Sequence, residues 1–134
     1  MHEAMEIKNM PFKVGQTLTV VGIPDCDAKR FIIEFGHDIQ NYIHINPRFD
    51  YLGNKNVTVF NSFKDGKYAE EIREGCFPFR HGEEFKVTVK FLPTGFLVSF
   101  CSKSAINVPN RLGAEEYSFF RFREDARIIS VEVK

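Results

Sequence analysis

The sequence contains no tryptophan and no excess of charge of either sign. Its 18 Lys and Arg residues are balanced by 18 Asp and Glu residues, so it lacks the basic surface that binds nucleic acid or an anionic membrane. We therefore expect an uncharged or weakly charged partner and no nucleic acid. Fifteen phenylalanines provide most of the aromatic content, which predicts a core built from phenylalanine.

Long apolar runs are also missing. No stretch approaches the roughly 20 apolar residues that a membrane-spanning helix requires, and residues 1–6 have neither the basic region nor the apolar centre of a secretory signal peptide. These absences predict a protein made in the cytoplasm, without membrane insertion.

Cysteine is scarce and its spacing is irregular. Three residues, Cys26, Cys76 and Cys101, form no C-x-x-C pair and lie far apart. We interpret all three as free thiols in a reducing compartment.

The patterns that enzymes and metal sites require are absent as well. The four histidines are scattered without an i, i+4 pair for zinc, and no serine or cysteine lies in a recognisable nucleophile turn. Glu70 and Glu71 are adjacent, so in a strand they point to opposite faces and cannot form the facing carboxylates, roughly 5–10 Å apart, of a glycosidase. The sequence predicts a protein that is not an enzyme and holds no metal or cofactor.

Strand signals run along almost the whole chain. Segments rich in aromatic and β-branched residues alternate with turn residues, and the clearest are Phe31–Phe35, Phe85–Phe91, Phe96–Phe100 and Ile128–Val133. Glu115 and Glu116 could form one helical turn but no longer helix. At 134 residues the chain suits a single domain, residues 1–134. We predict an all-β fold, a sandwich of two antiparallel sheets with connections of two to six residues.

A polar pattern interrupts one of these apolar segments. In an extended strand His44, Asn46 and Arg48 project from one face, while Ile43 and Ile45 turn to the other. Further polar residues follow, and we add them to the candidate site: Asn61, Tyr68, Glu71 and Arg73. Mixed donors and acceptors beside an aromatic ring, without a nucleophile, favour a polyhydroxylated ligand over a reaction.

Simpler interpretations exist for most of these residues. His44 alone would be an ordinary surface histidine, and Glu71 with Arg73 an ordinary surface ion pair worth under roughly 1 kcal/mol. Tyr68 is equally compatible with a stacking platform and with a rim tyrosine. Arg121 and Arg123 alternate with aromatic residues, which we interpret as a solvated strand face.

The combined pattern resembles the carbohydrate-recognition domain of the galectins. Their motif H-x-N-P-R, followed by V-x-N and W-x-x-E-x-R, matches at every polar position, and Tyr68 occupies the tryptophan position. Shorter matches extend from Phe12–Gly15 to Ser130–Val133. The resemblance implies a jelly-roll sandwich and a metal-independent lectin for β-galactosides such as lactose, on glycoproteins or glycolipids. It also implies a leaderless protein that is cytoplasmic and reaches the cell exterior.

The resemblance also implies a role for each residue. His44, Asn46 and Arg48 would surround the axial 4-hydroxyl of galactose, Asn61 would bind near the 6-hydroxyl, and Tyr68 would lie against the C–H face. Both Arg48 and Arg73 would pair with Glu71, which would also accept from the second sugar. Leu52 replaces a polar residue that many galectins carry, which changes the contacts expected there.

Two functions from different classes therefore stand side by side. The first is a galactoside-binding lectin that crosslinks glycans as a dimer. The second is a structural or protein-interaction module with the same fold, whose sugar site is weak because Tyr68 replaces tryptophan. For the dimer, we expect residues 6–9 and 128–133 to be neighbours at an exposed sheet edge that pairs with a second copy.

Overall fold

The structure, a computed structural model, describes residues 2–102 and 104–134. Within these residues there are twelve strands and no helix, which confirms the all-β prediction. The strands are β1 (His2–Lys13), β2 (Thr17–Pro24), β3 (Phe31–Asp38), β4 (Asn41–Tyr51), β5 (Asn54–Lys64), β6 (Lys67–Tyr68), β7 (Ile72–Glu74), β8 (Phe85–Leu92), β9 (Gly95–Cys101), β10 (Ser104–Pro109), β11 (Glu116–Glu124) and β12 (Ala126–Val133). Nothing in the described part of the chain is a helix long and apolar enough to span a membrane.

The strands form two antiparallel sheets. The larger sheet has the order β1-β11-β3-β4-β5-β6, and β7 also pairs with β5. The smaller sheet has the order β10-β9-β8-β2-β12. The predicted two-sheet sandwich is confirmed, and each of the four predicted strands lies inside an observed one.

Phenylalanine fills the space between the sheets, as the composition predicts. Along β8 alternate residues are buried, so that Val87, Val89 and Phe91 face the core. Phe91 meets Phe12 at a ring-centroid distance of 5.3 Å, and Phe96 at 4.6 Å. Phe12 also meets Phe35 edge-on at 5.7 Å, and edge-on contacts stabilise an aromatic core beyond its buried area.

One connection is longer than the predicted two to six residues. Residues 75–84 join β7 in the larger sheet to β8 in the smaller one. This segment carries two aromatic side chains into the core, Phe77 and Phe79. The prediction was wrong here because a segment that crosses between the sheets, with its own buried side chains, needs more residues than a hairpin turn.

The interpretation of three free thiols was also wrong. Cys76 and Cys101 form a disulfide, with their Cα atoms 6.4 Å apart, and Cys26 remains an exposed free thiol. Cys76 follows β7 and Cys101 ends β9, so the bond joins elements of the two different sheets. A separation of 25 residues in sequence hides this neighbourhood, which only the face-to-face packing of the sheets creates.

The terminal strands are edge strands of different sheets. β1 lies at the edge of the larger sheet and β12 at the edge of the smaller one, on the same side of the sandwich. The expected single edge is thus a pair of edges, one above the other. The dimer stays a prediction.

Candidate functional site

The candidate residues lie on a regular grid across the larger sheet. His44 pairs in register with Glu34 on β3 and with Asn61 on β5, and Glu34 pairs with Arg121 on β11. Because neighbouring strands are about 4.8 Å apart, these four side chains form one row over the outward face of the sheet. Asn46 belongs to the next row, which includes Arg73.

A cavity of about 380 Å³ opens on this face. Five of the seven predicted residues line it: His44, Arg48, Asn61, Tyr68 and Glu71. The other lining residues are Arg30, Tyr51, Leu52, Val59 and Arg123. The structure therefore brings most of the predicted side chains to one open cavity and places Asn46 and Arg73 beside it.

Asn46 holds Arg48 in position. It is fully buried, its Nδ2 donates to the Phe31 carbonyl at 2.9 Å, and its Oδ1 accepts from Arg48 Nε at 3.0 Å. Burial lowers the pKa of Arg48, the charge of Glu71 opposes this, and Arg73 adds to the lowering. The expected pairing of Arg48 with Glu71 was wrong: Arg73 bonds to Glu71, whereas Glu71 acts on Arg48 through its charge at longer range.

Arg73 holds the Glu71 carboxylate in place. Its Nε and Nη2 donate to Glu71 Oε2 at 3.1 and 2.8 Å, and its Nη1 donates to Asn54 Oδ1. Both members of the pair are nearly half exposed, so it contributes little to stability. Its effect is to fix the direction in which Glu71 faces the cavity.

Asn61 shapes the floor of the cavity through the backbone. Its Nδ2 donates to the Ala69 carbonyl at 3.0 Å, and its Oδ1 accepts from the Ser62 N–H at 2.8 Å. These bonds tie β5 to the segment that carries Tyr68 and Glu71, so Asn61 sets the position of that side of the site.

Tyr68 presents a held aromatic ring to the cavity. The residue is 49% exposed, while its hydroxyl hydrogen-bonds to the Tyr42 hydroxyl at 2.7 Å. Burial and this bond raise the pKa of Tyr42 above its usual value. The ring meets His44 edge-on at 5.6 Å and Phe63 at 4.9 Å. The tyrosine can therefore act as a platform, since contacts on three sides fix its plane.

A buried charged cluster beneath His44 was missed. Glu34 is fully buried, and its Oε2 lies 2.6 Å from His44 Nδ1. Arg121 Nε donates to Glu34 Oε1 at 2.7 Å, and Arg123 Nη2 donates to Oε2 at 2.9 Å. Burial alone would raise the pKa of Glu34, but the bonds from His44 and Arg123 lower it to about 2.

The interpretation of Arg121 and Arg123 as a solvated strand face was wrong. Their side chains are only 14% and 28% exposed, because both turn inward to Glu34. A signal for this was present in the sequence. Glu34 is a lone charge within the apolar run Phe31–Phe35, and a buried carboxylate requires partners.

A cation and aromatic stack closes the far end of the cavity. The guanidinium of Arg30 lies 3.9 Å from the ring centroid of Tyr51, and that of Arg48 lies 5.3 Å from it. Contacts of this kind restrict arginine side chains. Leu52, which is 76% exposed, adds an apolar side chain to the rim.

Residues 2–102 and 104–134 contain no group of three or more His, Cys, Asp or Glu residues arranged to hold a metal.

Comparison with known proteins gives a consistent result. The family model described as galactoside-binding lectin matches residues 3–133. A "Beta-galactoside-binding lectin" of Electrophorus electricus is 40% identical over 128 residues, 95% of each chain. Congerin-2 of Conger myriaster is 31% identical over 136 residues, the full length of both.

Solved structures show the same likeness. The crystal structure of Dario rerio galectin-1-L2 superposes with a TM-score of 0.94 and 42% identity, over 97% of this chain and 99% of that one. Lactose- and MES-liganded congerin II superposes with a TM-score of 0.92 and 30% identity, over 98% and 100%. The latter is a neighbour crystallised with lactose.

Proposed function

Because the chain belongs to the galectins, the family of galactoside-binding lectins, we propose that it binds β-galactosides such as lactose and N-acetyllactosamine units without a metal ion. Members of this family bind carbohydrate and are not enzymes, as the sequence predicted for this chain. The observation that carries the proposal is the cavity in which His44, Arg48, Asn61 and Glu71 lie around the exposed ring of Tyr68.

The proposed roles follow from what each group can donate or accept. His44 and Arg48 bind the axial 4-hydroxyl of galactose, with Asn46 behind them, and inversion at that carbon removes these bonds. Tyr68 packs against the C–H face of the ring, and Asn61 lies near the 6-hydroxyl. Glu71, held by Arg73, accepts from the second sugar.

Affinity chromatography tests this proposal directly. We expect the protein to be retained on immobilised lactose and to be eluted by free lactose but not by sucrose. Passage of the folded protein through the column without retention would count against a lactose-binding lectin and favour the structural-module alternative.

The alternative, a galectin-fold module with little or no sugar binding, is favoured by a single feature, Tyr68 in the tryptophan position. A phenol ring has less area than an indole, so we expect Tyr68→Trp to strengthen lactose binding by about 0.5–1.5 kcal/mol. Tyr68→Phe keeps the ring but removes the bond to Tyr42 that helps to hold it, so its affinity should lie between those of the wild type and Tyr68→Ala. Tyr68→Ala should weaken binding most.

Calorimetric titration of the four forms with lactose checks this order. Equal affinities for the wild type and Tyr68→Ala would show that the ring is no platform. Absence of binding in both the wild type and Tyr68→Trp would support the module.

We further propose a homodimer formed through the terminal strands, which would place two sugar sites on one particle and crosslink glycans. Two side chains support this: Met5 on β1 and Ile129 on β12 are large, apolar and exposed on neighbouring edges (39% and 47%).

Sedimentation at tens of micromolar should show a dimer, and Ile129→Asp should shift it to monomer. Leu52→Asp changes a more exposed residue (76%) in the turn between β4 and β5, on the rim of the sugar cavity, and should leave the dimer intact. A monomeric wild type would refute the dimer.

We propose that the lectin is made in the cytoplasm and acts outside it, on glycans of glycoproteins and glycolipids. The Cys76–Cys101 disulfide supports the extracellular part, because such bonds persist in oxidising compartments and are rare in the cytosol.

A further inference from the structure

Glu34 lies beneath the proposed galactoside site and forms hydrogen bonds with three neighbouring side chains. It is fully buried, and its two oxygens accept from His44, Arg121 and Arg123. Arg121 and Arg123 each place two guanidinium nitrogens within 3.1 Å of the carboxylate. A fork of this kind on each side leaves the carboxylate no freedom to rotate.

The bond to Glu34 decides which nitrogen of His44 carries a proton. An ionised carboxylate can only accept hydrogen bonds, and the pKa of Glu34 near 2 keeps it ionised at neutral pH. His44 Nδ1, at 2.6 Å from Oε2, must therefore be the donor. The other ring nitrogen, Nε2, is left for the cavity that His44 lines, and in a neutral ring it is an acceptor.

We infer that Glu34 is a positioning residue for ligand binding: through His44 it supplies the one acceptor that a hydroxyl needs beside the donor-only guanidinium of Arg48. This inference rests on the proposed function. A hydroxyl placed between the two groups donates to His44 Nε2 and accepts from Arg48 at the same time. An ether or a fluorine can only accept and leaves Nε2 without a partner, so the pair selects a free hydroxyl.

The cluster also connects His44 to the aromatic platform. The guanidinium of Arg121 lies 5.2 Å from the ring centroid of Tyr42, and Tyr42 hydrogen-bonds to Tyr68. Glu34 therefore fixes Arg121, which packs on Tyr42. Tyr42 in turn holds the hydroxyl of Tyr68. Its removal should disturb ligand binding even though it has no exposed atom with which to touch a sugar.

The direct test is Glu34→Gln, which keeps the size and removes the charge. Loss of a carboxylate that orients a binding histidine typically reduces affinity about 10–100-fold in metal sites, and we expect about a tenfold loss of lactose affinity by calorimetry. Glu116→Gln removes an exposed carboxylate, 3.9 Å from Lys13, and should bind as the wild type does. Wild-type affinity in Glu34→Gln would overturn the inference.

A ligand analogue distinguishes positioning from a general loss of structure. Lactose with fluorine in place of the galactose 4-hydroxyl should bind the wild type at least tenfold more weakly than lactose. In Glu34→Gln the same replacement should have a smaller effect, because the acceptor is no longer held in place. An unchanged penalty would mean that Glu34 does not act through His44, whereas a wild type that binds no lactose at all would refute the proposed function itself.

A measurement on the wild type covers the case in which Glu34→Gln does not fold. Long-range proton–nitrogen NMR spectra identify the protonated ring nitrogen of His44, and we expect it to be Nδ1 in both the free and the lactose-bound protein. A ring protonated at Nε2 alone would overturn the inference, because Glu34 would then face a bare nitrogen.

Discussion

Replacing Arg48 by lysine is expected to weaken lactose binding by about 1.5–3 kcal/mol, the range for hydrogen bonds to charged groups. Arg48 uses Nε to bond to Asn46 at 3.0 Å, which leaves its remaining N–H groups for a ligand. A lysine ammonium is a single point that cannot keep the buried partner and reach the sugar with the same geometry. Calorimetry with lactose measures the difference, and circular dichroism checks that the fold is retained.

Arg80→Lys provides the matched control for this change. Arg80 is an arginine with a side chain 78% exposed, 3.9 Å from Glu83, and it is not among the residues that line the cavity. We expect its lactose affinity to match that of the wild type. An Arg48→Lys affinity within a factor of two of the wild type would place Arg48 outside the binding site.

Removing the disulfide should lower the free energy of unfolding by about 3 kcal/mol. A bond that closes a loop across 25 residues of sequence restricts the unfolded chain by about this amount. The double variant Cys76→Ser with Cys101→Ser should therefore unfold at a lower urea concentration. Cys26→Ser changes an exposed free thiol and should have little effect. Equal unfolding curves for the wild type and the double variant would show that the bond does not form in solution.

Much of the fold could be predicted because alternation in the sequence reflects burial. In β8 every second residue is apolar, and those residues are the buried ones. The same period places His44 and Arg48 on one face of β4, so the centre of the candidate site could be predicted as well.

The remaining features depend on packing between segments that are distant in sequence. The partners of Glu34 come from β4 and β11, so its pairing with Arg123, 89 residues away, depends on strand order and not on spacing. The bond between Cys76 and Cys101 similarly requires the two sheets to face each other. A strand pattern predicts which face a side chain occupies, but it does not identify its neighbour on the next strand.

The buried position of Asn46 follows the same logic. Spacing places it on the face of His44 and Arg48, and the resemblance assigns it to the ligand. The register of β3 against β4 brings the Phe31 carbonyl within 2.9 Å of its amide, so it acts in the structure by holding Arg48. Spacing predicts the face on which Asn46 lies, but the neighbouring strand sets its partners.

The central claim is that this face recognises the axial 4-hydroxyl of a galactoside. Lactose and cellobiose differ only in the configuration of that carbon, so calorimetric titration of the wild type with both sugars tests the claim most directly. We expect saturable binding of lactose and no measurable binding of cellobiose at the same concentrations. Equal binding of the two sugars, or binding of neither, would contradict it.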